Sequence, residues 1–214
     1  EGRIYRILDP HESWARLAER SIGRYNQIAA DSGIDFYQES GLLVFGVEDE
    51  FIRQTKDVAA RMGTELEQMS PQQLEAAFPF LRVPHAASVG LLQTKQAGHL
   101  SPRKLCKAQL CLATHHGASY IDASVENVTK DVVNGGFLVS LGNGQDLRAE
   151  NVLVAAGVYS SVLPLLPEEV VVSLTGAQAL LAEISAETAE RLKGMPSMIY
   201  EGESEEECFY LLPP

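Results

Sequence analysis

Residues 151–156 read Asn-Val-Leu-Val-Ala-Ala and end at Gly157 with hardly a polar side chain among them. A run this apolar suits a strand buried on both faces. Such strands belong to parallel sheets, where crossover connections lay helices over each face. The run therefore predicts an α/β arrangement for the part of the chain that holds it. The rest mixes helix and strand signals without regular alternation, which predicts α+β.

The segments before the run carry clear stop and start signals. Asp9-Pro10-His11-Glu12 offers an N-cap, a proline at the first helical position and a glutamate at the third. Trp14, Leu17, Ala18, Ser21, Tyr25, Ile28 and Ala29 follow at helical spacing up to Gly33, with Arg16, Arg20 and Arg24 on the other face. A strand pair, 36–38 and 42–47, is expected across Glu39-Ser40-Gly41. A helix over 49–62 should bury Phe51, Ile52, Thr55, Val58, Ala59 and Met62. Ser70-Pro71-Gln72-Gln73 and Ser101-Pro102 start two more helices, the second running to His116 and closed by Gly117. A strand is expected over 87–92 and another over 119–123. Beyond that, 125–133 and 137–141 form a hairpin across Asn134-Gly135-Gly136, and Asn143-Gly144 marks a further turn. Residues 170–184 read as a long or broken strand, 185–193 as a helix, and 198–201 and 208–212 as strands.

Charge excludes one class of partner. The 214 residues hold 17 Lys and Arg against 29 Asp and Glu, a net charge of −12, and a nucleic-acid surface needs the opposite sign. The acid is concentrated late: residues 161–214 hold 2 basic and 10 acidic groups, against 15 and 19 in residues 1–160. That excess reads as solvated surface. No apolar stretch is long enough for a membrane span. Three cysteines cannot all pair, which favours a reducing, cytoplasmic setting. Cys106 and Cys111, five apart on one helix, diverge, and Cys208 is remote in sequence, so no metal site is expected. His115-His116 suits a helix C-terminus. No Gly-x-Ser-x-Gly elbow occurs. Gly142-Asn143-Gly144-Gln145-Asp146-Leu147 lacks the third glycine of a dinucleotide loop and falls in a hairpin turn.

The order of segments is more informative than any one of them. Arg3-Ile4-Tyr5-Arg6, the helix containing Trp14, Glu39-Ser40-Gly41-Leu42-Leu43-Val44-Phe45-Gly46 and Ala97-Gly98-His99-Leu100-Ser101-Pro102 follow one another. His116-Gly117-Ala118, Val125-Glu126-Asn127-Val128 and Val152-Leu153-Val154-Ala155-Ala156-Gly157-Val158-Tyr159 complete the series. In this order the chain resembles the FAD-dependent oxidoreductases of the D-amino-acid oxidase superfamily, in particular the sarcosine-oxidase-like branch. The resemblance implies part of a Rossmann-type FAD-binding domain (1–33 and 96–161) interleaved with a mixed-sheet substrate domain (34–95 and 162–214), both incomplete. The family's Gly-x-Gly-x-x-Gly turn and its C-terminal segment are not found in these residues, so an internal fragment is expected, holding FAD weakly or not at all by itself.

The same resemblance implies site residues. Arg3 and Arg6 match a paired-arginine motif, the first near the flavin ring and the second on the substrate carboxylate; the alternative is that they are simply terminal residues. Val125 matches a valine on the adenine side of FAD. Ala155, Ala156 and Gly157 match the turn that approaches adenosine and pyrophosphate, unless Gly157 serves turn geometry alone. Tyr159 is expected to pack, and His99 stands at a variable position. The activity implied is oxidation of a small amine or amino acid by hydride transfer to flavin. Hydroxy-acid oxidation is a neighbouring alternative, and a non-catalytic binding or scaffold module is the other.

Overall fold

A computed structural model describes residues 2–214 apart from 164, 167, 169, 174, 175 and 177. The chain divides into two compact units, one of residues 1–118 with 183–214 and one of residues 119–182.

In the first unit the strands are β1 (Arg3–Tyr5), β2 (Tyr37–Gln38), β3 (Leu42–Gly46), β4 (Glu67–Met69), β5 (Val89–Gln93) and β6 (Gly98–Leu100). Its helices are α1 (Glu12–Ile22), α2 (Tyr25–Ser32), α3 (Glu50–Met62), α4 (Pro71–Ala77) and α5 (Pro102–His115). The second unit holds β7 (Val125–Lys130), β8 (Phe137–Leu141) and β9 (Asp146–Ala149). The chain then returns to the first unit with α6 (Ala186–Arg191), β10 (Ser197–Glu201) and β11 (Phe209–Leu211).

The first unit is built around a five-stranded sheet of order β11-β10-β3-β5-β4, in which β10 and β3 run parallel and the other neighbours antiparallel. All five residues of β3 are buried. Leu42 and Val44 face a cluster with Leu8, Ile52, Ala59, Val89, Leu91 and Ala97. Leu43 and Phe45 face the opposite cluster with Met69, Leu74, Ala87, Met195, Met198 and Tyr200. Here the period of two feeds two cores at once, and each fully buried side chain of this size contributes roughly 1.5–3 kcal/mol. A smaller antiparallel sheet, β1-β6-β2, stands with α2 and α5 around Tyr5, Ile7, Phe36, Leu100 and Ala108. The second unit is an antiparallel meander, β7-β8-β9.

Local signals hold where a side chain closes its own turn. Ser70 and Gln73 form a reciprocal capping box, Asp49 Oδ1 accepts from the Ile52 amide, and Ser101 Oγ accepts from the Lys104 amide. The hairpin across 134–136 and the turn at Asn143-Gly144 are present. The helix over 49–62 buries Ile52, Thr55, Val58 and Ala59 as its spacing predicts.

Six expectations are corrected. The first helix starts two residues late, with Glu12 bonding Arg16 and Arg61 at 2.7–3.0 Å in place of a capping box, and it breaks at Gly23. Trp14 and Leu17 face outward, while Ala15 and Ile22 are buried. The expected pair 36–38 with 42–47 is not a hairpin: β2 joins β6, and β3 joins the larger sheet. Residues 119–123 and the described part of 170–184 form no strand, and the masked positions of the latter lie outside the described residues. Residues 151–156 form no strand either, and Leu153 is 92% exposed. A strand meant for two covered faces needs neighbours on both edges, and no described strand pairs with it.

Gly46 sets how closely β3 and β10 approach. Its φ is +154°, and a Cβ there would stand inside contact distance of the Glu201 carbonyl, which accepts the Val47 amide at 3.0 Å. Gly46→Ala is expected to lower stability by roughly 2–5 kcal/mol through strain and overlap. Urea unfolding checks this, and a loss below about 1 kcal/mol would contradict it.

Candidate functional site

A groove of about 440 Å³ opens in the first unit between the end of β1, the start of α3 and the β10–β11 pair. Arg3, Ile4 and Arg6 form one wall, Phe51 contributes from α3, and Ile199, Glu201, Cys208, Phe209 and Tyr210 complete it. Most of the lining is apolar, so the two guanidinium groups and the one carboxylate are the features that would choose a ligand.

Arg6 is held from three sides. Its Nη1 donates to the Leu8 carbonyl at 2.6 Å, Nη2 lies 3.6 Å from Asp9 Oδ2, and the guanidinium carbon stands 6.0 Å from the centre of the Phe51 ring. Burial draws the Arg6 pKa down while Asp9 and Glu201 hold it up; an arginine stays charged under these conditions. The Leu8 position is itself fastened by a buried glutamine at the end of β5. Gln93 Oε1 accepts the Leu8 amide at 3.3 Å, and its Nε2 donates to the Lys95 and Gln96 carbonyls at 2.8 and 3.2 Å. Arg3 is exposed at the rim, with Nη1 donating to the Gly2 carbonyl. The paired arginines named from the sequence thus share one groove.

The groove's carboxylate was not visible in the sequence. Glu201 ends β10, a strand otherwise read for its apolar residues, and only the fold turns it towards Arg3 and Arg6. Burial pushes its carboxyl pKa up, and Asp49 adds to that; the Cys208 thiol and Arg6 pull the other way without cancelling it. Cys208 Sγ donates to Glu201 Oε2 and to the Ser204 carbonyl, both at 3.4 Å, and burial raises the thiol's own pKa. Cys208 is therefore a hydrogen-bond donor in this groove and no activated nucleophile.

The other predicted residues stand elsewhere. Val125 opens β7 opposite Leu141, half-buried, in the second unit. Ala155, Ala156 and Gly157 belong to the same unit but to no ladder, and Gly157 (φ +56°) starts the 3-10 turn Gly157–Ser161. Nothing lies within 4 Å of where a Gly157 Cβ would be, so the backbone there is open to close approach by a flat ring or a phosphate. Tyr159, expected to pack, is 62% exposed. His99 lies on β6 outside the groove, its Nδ1 3.2 Å from Ser40 Oγ, and burial lowers its pKa. The three cysteines are unpaired, no group among the described residues could hold a metal ion, and no described helix is long and apolar enough to cross a membrane.

Residues 2–214 match the family model described as FAD dependent oxidoreductase. Solved structures with a similar fold include NikD, an unusual amino acid oxidase essential for nikkomycin biosynthesis. It shows 24% identity and a TM-score of 0.63, over 76% of this chain and 42% of that one. Glycine oxidase from Geobacillus kaustophilus shows 19% identity and a TM-score of 0.60, over 75% and 45%. A modified fructosyl peptide oxidase from Aspergillus nidulans shows 14% identity and a TM-score of 0.73, over 100% and 50%. At these identities the likeness is one of fold, and the chain spans half or less of the solved relatives it matches. The mixed α/β and α+β class expected from the sequence is the fold of these FAD-dependent oxidases. No curated protein matches the chain.

Two outcomes follow from the groove's construction. Gln93→Leu would leave the Leu8 amide and two carbonyls without their partner, and a loss of about 1–3 kcal/mol in chemical unfolding is expected; an unchanged midpoint would refute the fastening role. A carboxyl whose folded pKa is raised above its unfolded value, about 4.3, carries no burial cost below that unfolded value. The cost grows as pH rises from the unfolded towards the folded value and is complete above the latter. Glu201→Gln should therefore raise Tm at pH 7 and leave it unchanged near pH 3.5, as followed by circular dichroism.

Proposed function

The chain belongs to the FAD-dependent oxidoreductase family, and from that premise we propose that the groove at Arg3 and Arg6 is the substrate end of an enzyme oxidising a small amine or amino acid. The observation that carries the reading is the fixed guanidinium of Arg6 in an otherwise apolar groove. A planar donor fork already tied to Leu8 and Asp9 loses little freedom when it receives a carboxylate, and charge-assisted hydrogen bonds are worth roughly 1.5–3 kcal/mol.

Each residue then has a task. Arg6 binds the substrate carboxylate. Arg3, at the rim, would stand beside the flavin ring. Phe51, Ile199, Phe209 and Tyr210 exclude water and hold the substrate's carbon skeleton. In the other unit, Val125, Ala155, Ala156 and Gly157 are the residues that would hold the adenosine and pyrophosphate. Bound FAD supplies the acceptor for the hydride leaving the carbon beside nitrogen. In this reading residues 1–33 and 96–161 contribute to the FAD-binding domain, and 34–95 and 162–214 to the substrate domain. By itself the chain is expected to be inactive and weak in FAD binding, and its three unpaired thiols suit a reducing compartment.

One observation favours a second reading, a binding module that keeps the fold without turnover: residues 151–156 form no strand beside which a nucleotide could lie. The full-length protein decides between them. Flavin absorbance near 450 nm (an order-of-magnitude expectation for bound FAD) and its bleaching by a secondary amine or amino acid under anaerobic conditions support the enzyme. A protein purified without flavin, and taking up none, supports the module. In the enzyme, Arg6→Gln should lower kcat/KM for carboxylate-bearing amines by about 10- to 100-fold while flavin content stays the same. An unchanged kcat/KM would remove Arg6 from the substrate site.

A further inference from the structure

The two charge types in the groove differ in how the protein satisfies them. Arg6 has a carbonyl, a carboxylate and an aromatic ring around it. Glu201 has one weak donor, the Cys208 thiol, on Oε2, and no other described hydrogen bond reaches its carboxylate. The described ion pair of Arg6 is with Asp9, not with Glu201, on which Arg6 acts only at longer range. A half-buried carboxylate that lines the same apolar groove as two guanidinium groups has no ion pair of its own among the described residues. Asp9 already serves Arg6, and the acidic Asp49 is on Glu201's side of the balance.

We propose that Glu201 is the specificity-determining residue of this groove, pairing with a cationic nitrogen of the substrate so that the site takes a zwitterionic amino acid in preference to a hydroxy acid or simple carboxylate of the same shape. This rests on the reading of the groove as the substrate site. The arginines supply one half of a zwitterion's recognition and would serve any carboxylate equally. The carboxylate supplies the other half, and a ligand without positive charge leaves it buried and unpaired. A hydroxy acid meets Glu201 with a neutral hydroxyl, and an unsubstituted carboxylate meets it with a methylene. Discrimination by leaving a buried polar group without its partner is stronger than discrimination by shape. The polar end of Glu201 is oriented by Cys208, whose raised thiol pKa keeps its proton available as a donor.

The test is equilibrium binding to the full-length protein by titration calorimetry, with three matched probes: N-methyl-leucine, 2-hydroxy-4-methylpentanoate and 4-methylpentanoate. The wild type should bind N-methyl-leucine about 10-fold or more tighter than either of the others. Glu201→Gln should erase that preference by weakening N-methyl-leucine alone, with 4-methylpentanoate bound as tightly as before or tighter. Glu201→Asp keeps the charge and should retain part of the preference, which separates charge from any structural effect of the substitution. A preference undiminished in Glu201→Gln, or lost as fully in Glu201→Asp, overturns the role of Glu201 while leaving the groove reading intact. If no probe binds the wild type, or if Arg6→Gln changes none of the affinities, the groove reading fails and this inference with it.

Discussion

The structure of the first unit depends on a strand with two buried faces, and that strand is β3. Leu42 and Val44 close one core and Leu43 and Phe45 the other, so four consecutive residues tie together both layers of packing. The apolar run at 151–156 has the composition for such a role and does not perform it. Composition makes a strand fit for double burial; only neighbours on both edges make it one. β3 has β10 on one side and β5 on the other.

The groove inherits its geometry from that strand and its neighbours. Gly46, the last residue of β3, allows the backbone to meet the Glu201 carbonyl, which sets where β10 ends and hence where the Glu201 side chain stands. Gln93, the last residue of β5, holds Leu8, and Leu8 holds Arg6. The two charge types at the ligand space are thus each placed by the end of a strand pairing with β3. Rigid elements hold functional groups more accurately than loops do, which suits a site whose chemistry depends on orientation more than on a reactive side chain.

Much of the local structure was legible because its cause was local. Ser70 with Gln73, Asp49 with Ile52, and Ser101 with Lys104 satisfy orphan amides within one turn, and the spacing alone announces them. The hairpin at 134–136 is set by its own turn residues. Where a residue had a distant partner, local reading failed. Glu12 had the right position for a capping box, and Arg61, 49 residues away, took it. Trp14 and Leu17 kept helical spacing with Ser21 and Tyr25, yet the break at Gly23 turned α1 so that Ala15 and Ile22 face inward. Short strands β2 and β3 looked like a hairpin because they are adjacent in sequence, but hydrogen bonding assigned them to separate sheets.

The candidate site divides in the same way. Arg3 and Arg6 were readable as a pair through the resemblance to a paired-arginine motif, and with only two residues between them their shared groove adds little to that reading. Glu201, Cys208 and Phe51 joined them only through folding, since no spacing rule links positions 6, 51, 201 and 208. By itself the sequence determined the mixed fold class, the family, the capped helices and one half of the groove's charge. The tertiary structure alone decided which strand would be buried on both faces and which carboxylate would face the arginines. Those outcomes belong to long-range pairing, where the free energy of packing and desolvation depends on partners that no window of neighbouring residues contains.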